Sequence, residues 1–416
     1  MTRPTDKPAA SYPLGWLRDQ FPALNAATGD RIFLDNASGS QVPQGVIDEV
    51  VTTMVEMNVN KGGAYRASQR VTATKEEVRE RVAAFLGAPS ARSVVFGPNA
   101  TTLLELFAQG VGRTLETGAE IIVSGLEHHA NRDPWRRLSA QGAVIKTWEV
   151  RGDEARLELS DLEALLTPET RLVTLSAASN ALGTMPPVAD VAERVHAAGA
   201  RLMVDAVHYA PHALPDVRAL GADLLVFSPY KVFGPHLGVL YLSDEMMDTL
   251  PAPTLSFLDA GTPVAWEPGT QNHEAIVGFG GTFDYLDAAA RQLELSGSGR
   301  AAWEGLFRAF AEHETRLFER LLDGLRALGA TCYGLPGSAG RTATVSFNLP
   351  SRTPQEVAAH LAGHGITAAS GHYYAFELMM NRLGLAARGG AVRLSILHYN
   401  SPDDIEAALA ALAELV

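Results

Sequence analysis

The chain has 416 residues, enough for one large domain and a smaller one with buried cores of their own. Hydrophobic residues make up 46% and charged ones 19%, and 47 acids against 34 bases leave a formal charge of -13, which disfavours nucleic acid and anionic membrane as partners and leaves a small molecule as the default. The single cysteine, Cys332, excludes an internal disulfide and any zinc-finger-type cluster, the N-terminus "MTRPTDKPAASYPLGW" has no apolar core of signal-peptide length, and no later run approaches that of a membrane span, so the expectation is a soluble, cytoplasmic protein.

In chain order, residues 1–30 are expected to pack on the small domain, 31–294 to form the large one and 295–416 the small one. From about residue 90 to 245 short β-branched runs alternate with amphipathic segments. "SVVFG", "EIIVSG", "AVIKTWEV", "RLVTLSA", "RLMVDAV" and "ADLLVFS" read as strands, and "LGVLYL" as a further buried strand of the same kind. Between several of them lie helical patterns such as "SDLEALL", with Ser160 and Glu163 as its capping box. This repetition predicts an α/β fold with a mainly parallel sheet covered by helices.

After about residue 295 the pattern changes. "WEGLFRAFAEHETRLFERLLDGLRALG" puts Leu306, Phe310, Leu317, Leu321, Leu325 and Leu328 near one helical face and stops at Gly329. A strand, "TATVSFNL", precedes a helix capped by Thr353 with Pro354 at its first position and Glu356 closing the box, and Ser401 with Pro402 repeats the device in the last helix. The result is a smaller α+β unit.

Two residues stand out chemically. Lys231 follows an apolar strand and opens a loop rich in glycine and proline, which makes it either a snorkelling surface lysine or a buried amine kept for chemistry. Asp205 ends "RLMVDAV" 26 residues earlier, an interval that fits one strand-helix-strand unit, so both side chains can emerge at one sheet edge. An acid for a pyridinium nitrogen and a lysine for an imine are the pair pyridoxal phosphate requires; a helix cap or surface acid is the plainer reading of Asp205 alone. "FGPNATTLLELFA" leads from a strand into a helix whose first amides, at Ala100 and Thr101, suit a phosphate. His128, just after "EIIVSG", is placed to stack on a flat ring or to play a structural part. No Walker-type or GxGxxG loop follows a strand, which counts against a nucleotide-binding protein.

With these stretches in order, "FLDNASGSQVP", "EHHANRDPW", "SNALGT", "VDAVHYAPH", "FSPYKVFGPHLGVLY", "EPGTQN" and "VRLSILHYN", the sequence resembles the class V aminotransferase family of pyridoxal-phosphate enzymes, and within it the cysteine desulfurase and selenocysteine lyase group. The resemblance covers nearly the whole chain. It implies the fold type I transferase architecture, with a seven-stranded large-domain sheet, and a homodimer that acts on an amino acid. It further implies that Lys231 binds the cofactor as an imine, Asp205 pairs with the pyridine nitrogen, His128 stacks on the ring and Asn180 bonds the ring oxygen. Thr101 and Ser228 would hold the phosphate, helped by Ala100 and by Thr270 from the second subunit. Arg393 would clamp the substrate carboxylate, with Asn36, His372 and Tyr374 facing the substrate.

His208 stands where relatives usually have glutamine beside the ring oxygen, and Tyr230 where they usually have a phosphate-binding histidine. In the desulfurases a loop cysteine becomes a persulfide. Here the matching stretch "AASGHYYAFEL" puts Tyr374 at that position and Ala369 where an arginine often stands, and Cys332 lies about forty residues upstream. A tyrosine cannot accept sulfane sulfur as a thiolate does, which argues against a persulfide route. The expected activity is therefore β-elimination at a C–S bond, with amine transfer or epimerisation as the alternative, and a catalytically idle scaffold as a reading from another class.

Overall fold

A computed structural model describes residues 12–25 and 32–416; residues 1–11 and 26–31, which include much of the N-terminal segment, lie outside the described residues. The strands are, in order, β1 (Ile32–Phe33), β2 (Val94–Gly97), β3 (Glu120–Ser124), β4 (Val144–Trp148), β5 (Thr170–Ser176), β6 (Arg201–Asp205), β7 (Leu224–Phe227), β8 (Gly238–Leu242), β9 (Thr331–Tyr333), β10 (Thr344–Asn348), β11 (Ile366–Thr367), β12 (Ala369–Gly371) and β13 (Ala391–Ser395). Every strand expected between residues 90 and 245 is present within a residue or two.

The large sheet has seven strands in the order β2-β8-β7-β6-β5-β3-β4. Alternate residues feed opposite faces, as the two-residue period requires: Val94, Phe96, Ile122 and Val173 enter one core, while Val95, Ile121, Val123 and Leu172 enter the other. With both faces covered, the strands need apolar residues throughout, which explains their unbroken hydrophobic runs.

Three local expectations are corrected. β8 runs antiparallel to both β7 and β2, because residues 228–237 hold only the short turn Pro229–Lys231 and are too few for a crossover. The helix expected between Asp205 and Lys231 is replaced by turns over residues 207–221, where Pro211 and Pro215 deny a helix its interior hydrogen bonds, yet β6 and β7 still pair in parallel. The helix Leu159–Leu165 starts one residue before Ser160, so its cap position is Glu158, without a side-chain bond. The boxes at Thr353 with Glu356 and at Ser401 with Asp404 do form.

β9, β10, β12 and β13 form a second, antiparallel sheet with its own core of Val345, Phe347, Leu361, Leu394 and Leu412. The helix Arg300–Ala327 belongs to both units: Trp303, Phe307 and Phe310 pack in the large core, and Leu317, Leu321 and Leu325 in the small one. It ends at Gly329, whose φ of 70° lies in the left-handed region glycine tolerates. Within residues 12–25, Phe21 packs edge-on against Phe233 and Tyr285, and Arg18 bonds Asp404 at 3.0 Å. No helix of the described residues is long and apolar enough to cross a membrane.

Candidate active site

The carboxyl ends of the parallel strands β6 and β7 bring Asp205 and Lys231 to one edge of the sheet. Both are buried. Burial, reinforced by Arg393 and opposed by Asp205, pulls the Lys231 ammonium down to about 8, while burial pushes the Asp205 carboxyl up to about 6 against the Val207 amide it accepts and the Lys231 charge. The Lys231 amine donates to the Ala37 carbonyl at 2.7 Å. A buried lysine so poised is the chemical alternative of the two readings its sequence position allows.

Two adjoining cavities meet at Lys231. The inner one, about 90 Å³, is lined by Ala100, Thr101, His128, Asn180, Asp205, His208, Ser228, Tyr230 and Lys231 among others. At one end stands the helix Ala100–Gly112, whose first-turn amides lack intrahelical partners and whose Asn99 cap accepts the Thr102 amide at 2.8 Å. This approach depends on Gly238, since a Cβ there would lie 2.4 Å from the Asn99 carbonyl carbon. The His128 imidazole, driven down to about 3 first by burial and then by Lys231, stays neutral, and its Nδ1 accepts the Ala130 amide at 3.0 Å, so Nε2 carries the proton. His208 contacts the hydroxyls of Thr342 and Thr344 through Nε2 at 3.1 and 3.0 Å. The Tyr230 ring stacks on His236, with centroids 5.0 Å apart.

The outer cavity, about 760 Å³, adds Ser38, Ser370, His372, Tyr373, Tyr374 and Arg393. Arg393 emerges from β13 and is buried; it donates to the Asn180 carbonyl at 2.9 Å, to Asp35 at 2.9 Å and to Ser38 at 2.7 Å, with its guanidinium 4.5 Å from the Tyr373 ring centre. Tyr373 and Tyr374 have φ of 51° and 60°, consecutive left-handed residues that together cost a few kcal/mol and need external support. That support comes from Asn180 Nδ2 to the Tyr373 carbonyl at 2.8 Å, the His129 amide to the Tyr374 carbonyl at 2.8 Å, and the Tyr374 amide to His372 Nδ1 at 3.2 Å. The Tyr374 ring, 69% exposed, stands 5.4 Å from that of His128.

Two residues expected at the site, Asn36 and Thr270, are not brought to it within this chain. Asn36 lines neither cavity: Nδ2 donates to the carbonyls of Phe33 and Ser395 and to Asn400, and Oδ1 accepts the Tyr399 hydroxyl, so it knits the N-terminal segment to the end of β13. Thr270 is exposed and outside both cavities. Sequence reasoning in turn missed Glu127. Fully buried, it accepts from Ser124 at 2.5 Å, from the Ser176 amide and hydroxyl at 2.7 Å each, and from Asn131 at 2.6 Å, locking the turn that carries His128 to the end of β5. Burial, with Asp205 adding repulsion, raises its carboxyl to about 7. The signal was its place inside "EHHANRDPW".

The residues present suit a flat, anionic, carbonyl-bearing group such as pyridoxal phosphate. Asn180 Oδ1, His208 Nδ1 and Arg393 Nε are buried without hydrogen-bond partners, and each belongs to a residue lining the paired cavities. A helix N-terminus for a phosphate, a buried acid, a neutral imidazole and a buried amine converge on one slot.

Comparison with known proteins agrees. The family model described as aminotransferase class V matches residues 32–408. The chain is 32% identical to a cysteine desulfurase of Dickeya dadantii over 97% of each chain. It is 35% identical to a probable cysteine desulfurase of Mycolicibacterium paratuberculosis, covering 96% of this chain but only 58% of that protein's length. The apo cysteine desulfurase of Thermococcus onnurineus superposes with a TM-score of 0.86 at 31% identity, over 97% of this chain and 98% of the other. Ordered motifs, fold, and a slot of this composition lead to one conclusion: the chain belongs to the class V aminotransferase family, whose members are pyridoxal-phosphate-dependent enzymes.

Proposed function

We propose that this enzyme cleaves the C–S bond of a sulfur-bearing L-amino acid by β-elimination, without forming a persulfide on the protein. The observation that carries the reading is the position of the chain's sole thiol. Cys332 lies on the edge strand β9, opposite Phe347, against the small core and outside both cavities, and burial raises its thiol above the ordinary value. Tyr374 stands at the cavity mouth instead.

In this reading Ala100, Thr101, Ser228 and Tyr230 hold the cofactor phosphate, His128 covers the ring, Asp205 faces the ring nitrogen, Asn180 and His208 flank the ring oxygen, and Lys231 is the point of attachment. When bound, pyridoxal phosphate draws electrons from the α-carbon of an attached amino acid and so acidifies its α-hydrogen. Arg393 orients the substrate carboxylate, and the Lys231 amine, with its depressed pKa of about 8, takes the α-proton. The Tyr374 hydroxyl or the His372 imidazole, both at the mouth, gives a proton to the departing sulfur. Pyruvate and ammonia follow by hydrolysis.

A homodimer is part of the proposal. It is supported by Ile47, Val51, Met54 and Val55, an exposed apolar stripe along the helix Gln44–Glu56, and by the free position of Thr270. The test is to mix cofactor-loaded wild type, Cys332→Ser and Tyr374→Phe with L-cystine and S-alkyl cysteine conjugates and follow pyruvate. Equal release by wild type and Cys332→Ser is expected. Collapse of Cys332→Ser, or formation of a keto acid that retains the sulfur, overturns elimination without persulfide; failure to take up cofactor at all favours an idle scaffold.

A further inference from the structure

We propose that His360, His364 and Glu414 form a surface site for one divalent transition metal of the zinc class. His360 lies in the last turn of the helix Pro354–Gly363 and His364 is its C-terminal cap, so a spacing of four puts both rings on one face. Glu414 is the C-terminal cap of the last helix, Pro402–Ala413, which runs alongside. One carboxylate oxygen of Glu414 lies 3.4 Å from Nε2 of His360 and 3.3 Å from Nε2 of His364. One donor atom from each of the three residues falls within 4.8 Å of the others.

These separations have a chemical meaning. A tetrahedral ion with bonds of about 2.0–2.1 Å sets its ligand atoms roughly 3.3–3.4 Å apart, which both histidine–glutamate separations already match, while the two imidazoles, with donor atoms within 4.8 Å, turn onto the ion as it binds. His364 is already oriented for it: Nδ1 engages the His360 carbonyl at 3.0 Å, the backbone contact that fixes the tautomer of a ligating imidazole and leaves Nε2 as the free electron pair. The His360 Nε2 also contacts the Ala411 carbonyl at 2.9 Å. Metal binding gives up that contact, with His360 changing tautomer so that Nδ1 carries the hydrogen. Two imidazoles and one carboxylate suit zinc, nickel, cobalt or copper, whereas magnesium and calcium demand more oxygen ligands than are present. None of the three residues lines the cavities at Lys231, so the site is separate from the chemistry there; it ties the two helices that cover the small sheet.

The experiment uses the cofactor-loaded protein as wild type, His364→Ala and Glu414→Gln. Zinc binding is measured by equilibrium dialysis and calorimetry, with cobalt as a visible-band probe and magnesium as a control. Wild type is expected to bind one zinc more tightly than either variant by at least about 10-fold, to show a cobalt band that the variants lose, and to gain thermal stability with zinc when the variants do not. All three residues reach solvent, so the variants should fold, which an unchanged cofactor absorbance verifies. Equal zinc stoichiometry and affinity in the three proteins would mean histidine–glutamate ion pairs only, or metal held elsewhere, and overturns the proposal. Magnesium binding with the same variant sensitivity overturns the assignment of metal class.

Discussion

Replacing Arg393 with lysine tests the site more sharply than deleting it, because the positive charge stays and only the fork is lost. A guanidinium has five N–H groups, and three are committed here, one to the Asn180 carbonyl, one to Asp35 and one to Ser38. Nε and one Nη1 hydrogen remain for a substrate carboxylate, consistent with Nε being buried without a partner. Lysine offers only three donors, so holding the same three protein groups leaves none. Losing one charge-assisted hydrogen bond costs about 1.5–3 kcal/mol, or roughly 10- to 100-fold in affinity. The assay is titration of the bound cofactor's absorbance with L-cysteine and with cysteamine, its counterpart lacking the carboxylate. Wild type should prefer L-cysteine, and Arg393→Lys should bind both about equally. If the variant kept wild-type affinity for L-cysteine to within about twofold, with the preference over cysteamine intact, the carboxylate would bind elsewhere and the assignment of Arg393 would fail.

Two other outcomes follow from the buried charges. Lys231 must be neutral to react, and its folded pKa of about 8 lies below the ordinary 10.5, so the rate of cofactor capture by the apoprotein should rise with pH about a midpoint near 8; a midpoint near 10.5 would contradict the burial argument. The unfolded lysine keeps its proton up to the higher value, so this group makes the apoprotein gain stability as pH climbs between the two values, and urea titrations across that window should show the gain. Glu267→Gln breaks the buried pair with Arg79, joined at 2.6 and 3.2 Å and also accepting the Phe96 amide at 2.9 Å; a loss of about 3–5 kcal/mol is expected in urea unfolding, and a loss under about 1 kcal/mol would mean that water reaches the pair.

The strands of the large sheet were readable because each is buried on two faces and therefore written as an unbroken apolar run. Thr353 and Ser401 were readable as caps because they precede a proline that can only begin a helix. Ser160 misled because serine is nearly as acceptable within the first turn as before it, and the turns at 207–221 were hidden because a parallel connection was assumed to need a helix. At the site, Asp205 and Lys231 declared themselves by standing at strand ends. Asp35 and Ser38 did not, since their partner Arg393 is separated from them by 358 and 355 residues of chain, and a single sequence carries no trace of that pairing. Asn36 sits beside Asp35 in the same segment, yet Asp35 accepts from Arg393 while the Asn36 amide is spent on the Phe33 and Ser395 carbonyls, Asn400 and Tyr399.

The 28-residue helix Arg300–Ala327 runs on the order of 40 Å as one rod, with its first half sunk in one core and its second half in the other. A rod anchored at both ends resists bending at its middle. Large opening motions of one unit against the other would tear apolar side chains from one core, so access to the cavities falls to the short segments at their rim. Any attempt to express the C-terminal unit alone from residue 295 would leave Trp303, Leu306, Phe307 and Phe310 as a greasy handle in water, and that fragment should aggregate unless those four positions are redesigned.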